Sequence, residues 1–341
     1  LHNVSGETVE MAVSVADFAG NRLCDTASFT TEIGDTFSFD IDTLPPLTGF
    51  AARARPGGIS LEALYFDSPG DDAMDPGIGA PYSMAFSPDR SWLVTDQSGD
   101  IVITNPELGI SDRLTDAPEE EKEAALSPNG HTLAFDRLGH IVLKNLFNGS
   151  EDTLASSAQG GRELAFSETG NYLAYRSGSG SLNPKLFVWR LDDELEVAPG
   201  TFNDVDYFDW SNTGQLVAAV VGGNRIYYWD PASTSPPVLL YTASGDLNHL
   251  DFGPGEVIYF SENLATGSVV RSVTTGGGLE ELIDYTAENA TVEAMAVSSG
   301  GELVLTKKLS GDYSLVYYNP SAGYPEELPQ SIGQTLDLIW Y

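Results

Sequence analysis

The sequence Ala-Leu-Ser-Pro-Asn-Gly at residues 125–130 is one of six related stretches that decide the fold. The other five are residues 85–90, 165–170, 209–214, 251–256 and 296–301. Their third residues are Ser87, Ser127, Ser167, Ser211, Gly253 and Ser298, so successive copies lie 40, 40, 44, 42 and 45 residues apart. A period of this length is typical of one four-stranded blade of a β-propeller. The repeat therefore predicts an all-β protein made of stacked four-stranded sheets.

Each copy starts the same series of strand-like segments. Each copy lies at the end of a short apolar strand and begins a tight turn. The turn is predicted because Pro, Asp, Asn and Gly preset or tolerate the dihedral angles of turns. A second apolar strand follows, as at residues 172–175, then a third, as at 186–189, and a weaker fourth, as at 151–154. Radial stacking on neighbouring sheets would bury the faces of such a unit.

The turns Ser-Pro-Asp-Arg (87–90) and Ser-Pro-Asn-Gly (127–130) resemble those of the TolB-type, WD40-like (PD40) β-propeller repeats. The resemblance covers residues 81–341, about three quarters of the chain. It implies a ring of six to seven four-stranded blades, but no particular function, because one fold serves many. The fourth and fifth copies depart from the pattern at the Pro-Asp pair, which leaves the blade boundaries there less defined.

The two ends of the chain carry further strand-like segments. Residues 335–341 read as the innermost strand of one more blade, and residues 1–67 contain five strand-like runs. In one interpretation three of these runs complete a seventh blade. In the other, residues 1–67 resemble a small transthyretin-like or carboxypeptidase-regulatory-like sandwich. We expect a small N-terminal β module at 1–67 that also lends a strand to the ring, a linker at 68–80 and a propeller at 81–341.

Charge and composition exclude several classes of function. The chain has 50 Asp plus Glu against 16 Lys plus Arg, a formal net charge of −34. This charge repels phosphate backbones, so nucleic acid is excluded as a partner. No run approaches the roughly 18 apolar residues of a transmembrane helix. Cys24 is the single cysteine, which excludes an intramolecular disulfide and a multi-thiolate metal site.

Signatures of catalysis are absent from the sequence. It contains no Gly-x-Ser-x-Gly nucleophile elbow, and its four histidines form no zinc-binding pair. We predict no catalytic residue and no cofactor. A resemblance to lactonase-like propellers would imply channel carboxylates and Asn side chains around a divalent ion, with Ca²⁺ as the candidate. The metal-ligand candidates on this alternative are Asp204, Asp206, Asp209, Asn248 and Asp251.

Acidic residues recur in loops that open on one face of the predicted ring. These loops lead into the innermost strands or join second to third strands, and they contain Asp96, Asp100, Asp116, Glu119, Glu120, Glu121, Asp136, Asp204, Asp206, Asp246, Glu288 and Glu293. They form either a solvated acidic face or a docking surface for a basic partner. The candidate partner-binding residues are Glu119, Glu120, Glu121, Tyr207 and Tyr285.

The sequence thus predicts a non-enzymatic, extracytoplasmic propeller that is a protein-binding scaffold or a subunit of a surface assembly or filament. The alternative is a metal-dependent propeller hydrolase of the lactonase type. A start at Leu1, without a basic and apolar leader, fits a mature exported product. Three N-x-S/T sequons, at Asn3, Asn148 and Asn289, fit the same expectation.

Overall fold

The computed structural model describes residues 8–16, 22–30, 49–55, 58–64, 84–86, 93–105, 110–154, 161–177, 183–197, 202–298, 300–331 and 335–340. The predicted linker at 68–80, the turn at 87–90 and the sequon at Asn3 lie outside these residues. The described residues form antiparallel sheets joined by turns, with one short 3-10 turn at Pro254–Glu256.

The N-terminal part contributes four strands. They are β1 (Thr8–Ala16), β2 (Arg22–Thr30), β3 (Gly49–Arg55) and β4 (Gly58–Leu64). Strands β1 and β2 pair only with each other among the described residues, with Ala12 opposite Thr26.

Six four-stranded sheets follow, which we number as blades 1 to 6. Blade 1 contains β5 (Met84–Phe86), β6 (Leu93–Gln97), β7 (Asp100–Asn105) and β8 (Ile110–Arg113). Blade 2 contains β9 (Glu121–Leu126), β10 (Thr132–Arg137), β11 (His140–Asn145) and β12 (Glu151–Thr153). Blade 3 contains β13 (Gly161–Phe166), β14 (Tyr172–Ser177), β15 (Leu186–Arg190) and β16 (Leu195–Glu196).

The second half of the ring repeats this plan. Blade 4 contains β17 (Val205–Trp210), β18 (Val217–Val221), β19 (Arg225–Trp229) and β20 (Val238–Thr242). Blade 5 contains β21 (Asp246–Gly253), β22 (Val257–Leu264), β23 (Gly267–Thr274) and β24 (Leu279–Asp284). Blade 6 contains β25 (Thr291–Val297), β26 (Leu303–Leu309), β27 (Asp312–Asn319) and β28 (Tyr324–Ser331). The last strand is β29 (Thr335–Trp340).

The blades stand side by side around a central channel. The first strands contact one another in the order β5, β9, β13, β17, β21, β25 and β29, so they are the innermost strands. Within each blade the four strands are paired in chain order, from the innermost to the outermost. This arrangement confirms the predicted all-β propeller.

Strands from both ends of the chain form a seventh sheet. Strand β29 pairs with β3, with Leu338 opposite Ala51, and β3 pairs with β4. Two strands from within the predicted 1–67 module therefore share a sheet with the C-terminal strand. The division of the chain into a module, a linker and a propeller stays a prediction.

Apolar side chains fill the spaces between neighbouring blades. One buried cluster joins Val94 and Ile103 of blade 1 to Leu133 and Phe135 of blade 2, and similar clusters join the later pairs of blades. Because neighbouring blades cover both faces of a second strand, β18 is buried along its whole length, Val217–Val221.

The repeated serine holds the turn after the innermost strands of blades 2, 3 and 4. Ser211 is buried, and its Oγ accepts a hydrogen bond of 3.1 Å from Leu216 N. Gly214 N donates to Ser211 O at 2.7 Å. The same pair of contacts recurs at Ser127 and Ser167. The residues that revealed the repeat are therefore structural residues of the turn.

Each innermost strand from β9 to β25 carries a β-bulge near its start. One extra residue interrupts the register with the second strand of the blade. The bulge residues, as we call them, are Glu123, Glu163, Asp206, His249 and Glu293. Three of them have left-handed backbones, with φ of 56° at Glu123, 54° at Glu163 and 55° at His249. Non-glycine residues in this region cost about 1–3 kcal/mol, so the surrounding sheet must impose the conformation.

Candidate functional site

The candidate site is an acidic pocket between blades 1 and 2. Its volume is about 420 Å³. The loop between β6 and β7 forms one wall and the loop leading into β9 forms the other. The acidic pocket is lined by Asp96, Ser98, Gly99, Asp100, Ala117, Pro118, Glu119, Glu120 and Glu121.

A backbone contact joins the two walls of the acidic pocket. Glu121 N donates a hydrogen bond of 2.8 Å to Gly99 O. Gly99 has φ +93°, a conformation that side chains disfavour, so glycine suits the tight turn between β6 and β7. This contact fixes the spacing between the two loops.

Two of the five pocket acids have arginine partners. Arg113 Nη1 lies 3.2 Å from Asp100 Oδ2. Arg137 Nε donates a 2.7 Å hydrogen bond to Glu121 Oε1. Glu121 is 1% exposed, so it is an internal ion-pair residue rather than part of a docking surface.

The other predicted residues of this loop remain accessible. Glu119 and Glu120 are exposed at the mouth of the acidic pocket. Lys122 Nζ lies 3.8 Å from Glu120 Oε2, in an exposed ion pair that binds weakly. The pocket therefore keeps a strongly negative mouth, which favours a cationic group.

Asp136, near the end of the second strand of blade 2, has a structural role. Asp136 occupies in blade 2 the place that Asp96 occupies in blade 1. Its Oδ1 accepts a 2.9 Å hydrogen bond from Gly139 N, and its Oδ2 accepts one of 2.6 Å from Gly161 N at the start of blade 3. Asp136 thus holds its own loop and the next blade, and it is not available to a ligand.

Neighbouring bulge residues are in contact around the channel. Glu163 N donates a 3.0 Å hydrogen bond to Glu123 Oε2 in the preceding blade. His249 Nε2 lies 2.6 Å from Glu293 O in the following blade. Because a carbonyl only accepts, His249 Nε2 carries the hydrogen. Burial lowers the pKa of His249, which keeps the ring neutral.

Two metal-ligand candidates, Asp204 and Asp206, contact the loop between β18 and β19 at the start of blade 4. Asp204 has φ 63°, and its carbonyl accepts from Gly222 N at 2.7 Å. Asp206 Oδ2 accepts from Gly223 N at 2.8 Å. Both contacts stabilise the loop between β18 and β19.

Asp209, Asn248 and Asp251 lie on the adjacent innermost strands β17 and β21. Asp209 Oδ2 accepts a 2.7 Å hydrogen bond from Phe252 N, and burial raises the pKa of Asp209 to about 7. Asn248 O accepts from Ser261 Oγ at 2.6 Å. Within the part of the chain that the structure describes, no three His, Cys, Asp or Glu residues come together as a metal site. A metal ion at these residues stays a prediction.

The two predicted tyrosines occupy different environments. Tyr207 is half-buried, and its ring lies 5.6 Å from that of His249. Tyr285 is 4% exposed and packs beneath Lys307, whose Nζ is 5.4 Å from the ring centre. Burial raises the pKa of Tyr285. Tyr285 is therefore a core residue and offers no surface to a partner.

Sequence reasoning identified the acids of the pocket but not their arginine partners. Arg113 and Arg137 lie 13 and 16 residues after Asp100 and Glu121 and pair with them across neighbouring strands. The available signal is the position of Arg137 at the end of the second strand of blade 2, after four buried residues. It required the register of β9 against β10, in which Arg137 is opposite Glu121.

Comparisons with known proteins show a similarity of fold alone. No protein-family model and no curated protein matches the sequence. Porphyromonas gingivalis dipeptidyl peptidase 4 superimposes with a TM-score of 0.57 at 11% identity, over 85% of this chain and 53% of that one. A chain of a nidogen–laminin complex gives a TM-score of 0.50 at 13% identity, over 69% of this chain and 92% of that one.

A putative TolB from Agrobacterium tumefaciens gives a TM-score of 0.47 at 15% identity, over 71% of this chain and 98% of that one. The chain spans about half the length of the peptidase. Together with the sheet order, the peptidase and nidogen–laminin comparisons confirm the predicted β-propeller fold. Among the described residues, no helix has the length and apolar character needed to span a bilayer.

Proposed function

We propose that the protein is a non-enzymatic, protein-binding β-propeller that takes a basic side chain of its partner into the acidic pocket. The observation that carries the proposal is the pocket of about 420 Å³, whose lining contains five carboxylate residues, two of them buried (Asp96 and Glu121). Two arginines offset part of this charge, while Glu119 and Glu120 remain exposed at the mouth. A lysine or arginine side chain has the complementary charge and fits the volume.

The charge of the whole chain supports a basic partner. A net charge of −34 raises the encounter rate with a positively charged protein and opposes the approach of a second copy. One structure of similar fold comes from a nidogen–laminin complex, so a propeller of this fold is found there in an assembly with another protein.

We also propose that the protein lies outside the cytoplasm. Asn148 and Asn289, each the first residue of a sequon, are exposed in turns, as glycan attachment requires.

The test measures binding of a capped tri-arginine peptide by calorimetry at low and at physiological salt. We expect the double variant Glu119→Gln/Glu120→Gln to weaken binding at least fivefold. The matched control is Glu194→Gln/Glu196→Gln, which removes the same charge from two exposed glutamates of blade 3. The control should bind as the unchanged protein does.

An equal loss in both double variants would mean that only the overall charge attracts the peptide, which would refute the pocket. Sedimentation of the protein alone separates binding of another protein from self-assembly. A monomer at micromolar concentration is the expected result.

A further inference from the structure

We propose that Asn148 is a site of spontaneous deamidation in the folded protein. The sequence contains two Asn-Gly pairs, Asn129-Gly130 and Asn148-Gly149. In such a pair the backbone nitrogen of the glycine can attack the side-chain amide of the asparagine, because glycine has no side chain to block the approach. Asn148 lies in blade 2, in the turn between β11 and β12, and its reaction does not depend on the acidic pocket.

The reaction has two steps, and its only co-reactant is water. The Gly149 nitrogen forms a bond to Asn148 Cγ while the Cγ–Nδ2 bond breaks. The proton of the attacking nitrogen is transferred through solvent to the departing nitrogen, which leaves as ammonia. The product is a five-membered cyclic imide, and water opens it at either carbonyl to give aspartate or isoaspartate at position 148. Because the attacking and leaving groups belong to adjacent residues, the first step is intramolecular.

The surroundings of Asn148 leave the turn open to solvent. Asn148, Gly149 and Ser150 are all exposed. Gly149 has φ +71°, and no atom of the described part of the chain lies within 4 Å of the position that a Cβ on it would occupy. The turn can therefore change shape without displacing another part of the ring.

A hydrogen bond activates the side-chain amide of Asn148. Ser150 N donates to Asn148 Oδ1 at 2.9 Å. A donor at this oxygen stabilises the negative charge that develops on it when the Gly149 nitrogen adds to Cγ. Gly149 N itself donates to Asn145 O at 2.8 Å. This second bond must break first, because the attacking nitrogen gives up its hydrogen.

The strand that follows the turn makes this opening easy. Strand β12 has only three residues, all of them exposed, and its described ladder is with β11. A short outermost strand opens locally at a lower free energy than strands in the core. The bond from Gly149 N to Asn145 O can therefore break while the inner strands of blade 2 stay folded.

Asn129 provides the contrast within the same blade. Its Oδ1 accepts two hydrogen bonds, of 2.8 Å from Ser127 Oγ and of 2.9 Å from His131 N. Gly130 N donates to Ser127 O at 2.8 Å, and both of these residues are buried. Their turn joins the innermost strand β9 to the buried strand β10, so it opens only when the inner part of the blade does. The fold protects Asn129 and leaves Asn148 reactive.

The test incubates the full chain, produced without N-linked glycans, at neutral pH. A glycan on the sequon would occupy Nδ2 of Asn148 and prevent the reaction. Peptide mapping by mass spectrometry measures the loss of amide at each asparagine, and electron-transfer fragmentation identifies the isoaspartyl product. We expect Asn148 to react at least tenfold faster than Asn129 in the folded protein. In urea, where neither turn is formed, the two rates should become similar.

Gly149→Ala should slow the reaction at Asn148 at least fivefold, because its methyl group hinders the attacking nitrogen. Gly323→Ala is the matched control, since Gly323 is an exposed glycine with φ +74° and similar open space in a turn of blade 6. The control should leave the rate at Asn148 unchanged, and thermal melts verify that both variants fold. Equal rates at Asn129 and Asn148 in the folded protein would overturn the proposal. A rate at Asn148 that Gly149→Ala does not change would also overturn it, in favour of direct hydrolysis of the side chain.

Discussion

The amide of Glu163 donates a 3.0 Å hydrogen bond to Glu123 Oε2, which lies 40 residues earlier on the innermost strand of the preceding blade. Both residues are at β-bulges and have positive φ. The bulge in β9 turns the side chain of Glu123 toward β13, the next innermost strand of the ring. The carboxylate of Glu123 therefore couples two blades that share no β-ladder, as the carboxylate of Asp136 also does through Gly161 N.

Replacing Glu123 by Ala removes this contact. We expect the free energy of unfolding to fall by about 1 kcal/mol, the usual net contribution of a hydrogen bond, because exposure to water offsets the added strength of a charged acceptor. Glu123→Gln keeps an acceptor oxygen and should lose less than half as much. Urea unfolding of the three proteins measures both values. Equal losses in Ala and Gln variants would show that the charge of Glu123, and not its hydrogen bond, matters.

The turn glycine Gly214 should tolerate no side chain. It has φ +63°, and a Cβ there would lie 2.6 Å from Thr169 N in the backbone of blade 3. Gly149 is the control, because it has φ +71° and open space around the same position. We expect Gly149→Ala to cost about 1–2 kcal/mol from its backbone conformation alone. Gly214→Ala should cost clearly more, since the turn must also move away from blade 3. Similar melting temperatures for the two variants would contradict this account.

Asp209 should make stability depend on pH. Burial raises its pKa to about 7 in the folded protein, from the ordinary value of 3.8 in the unfolded chain. Between these values the folded state binds the proton more tightly, so this contribution is full below pH 4 and is lost as the pH rises to 7. Asp209→Asn keeps an acceptor for Phe252 N and does not titrate. The difference in unfolding free energy between the two proteins should therefore change between pH 4 and 7, in favour of the variant as the pH rises. A difference that is constant with pH would refute the raised pKa.

The ring should depend on strands β3 and β4 from the N-terminal part. Residues 49–341 retain both strands, whereas residues 65–341 leave β29 without its pairing partner β3. We expect the shorter protein to melt at least 10 °C lower, because an innermost strand then has an open edge. Removal of residues 335–341 should have a comparable effect. If the proteins 65–341 and 49–341 have the same melting temperature, the ring does not depend on the module at 1–67.

Salt should stabilise the protein more by screening than through a specific ion site. With a net charge of −34, repulsion opposes the folded state, and 1 M NaCl reduces the Debye length to about 3 Å. We expect the melting temperature to rise gradually with NaCl and only slightly with millimolar Ca²⁺. A saturable rise with Ca²⁺, abolished by Asp204→Asn/Asp206→Asn, would instead favour the metal-dependent alternative.

The sequence by itself determined the propeller, because its fold depends on a local unit that repeats. In blades 3 and 4 the serine that begins the turn accepts a hydrogen bond from a backbone amide five residues later, and the turn glycine has a positive φ. Because these contacts join residues that are close in the sequence, the residues that make them recur at regular intervals along the chain. The acidic loop at Glu119 and Glu120 could be predicted for the same reason, since a run of acids before an innermost strand falls on the rim.

Only the tertiary structure decided which acids are accessible. Glu121 is buried against Arg137 while its neighbour Glu120 is exposed, and Asp136 holds the start of the next blade. These differences arise from the register of paired strands and from contacts between blades, in which partners lie 16 to 40 residues apart. Whether a carboxylate is paired or exposed depends on which donor lies close to it in the folded protein. The distance between the two groups cannot be predicted from the order of residues along the chain.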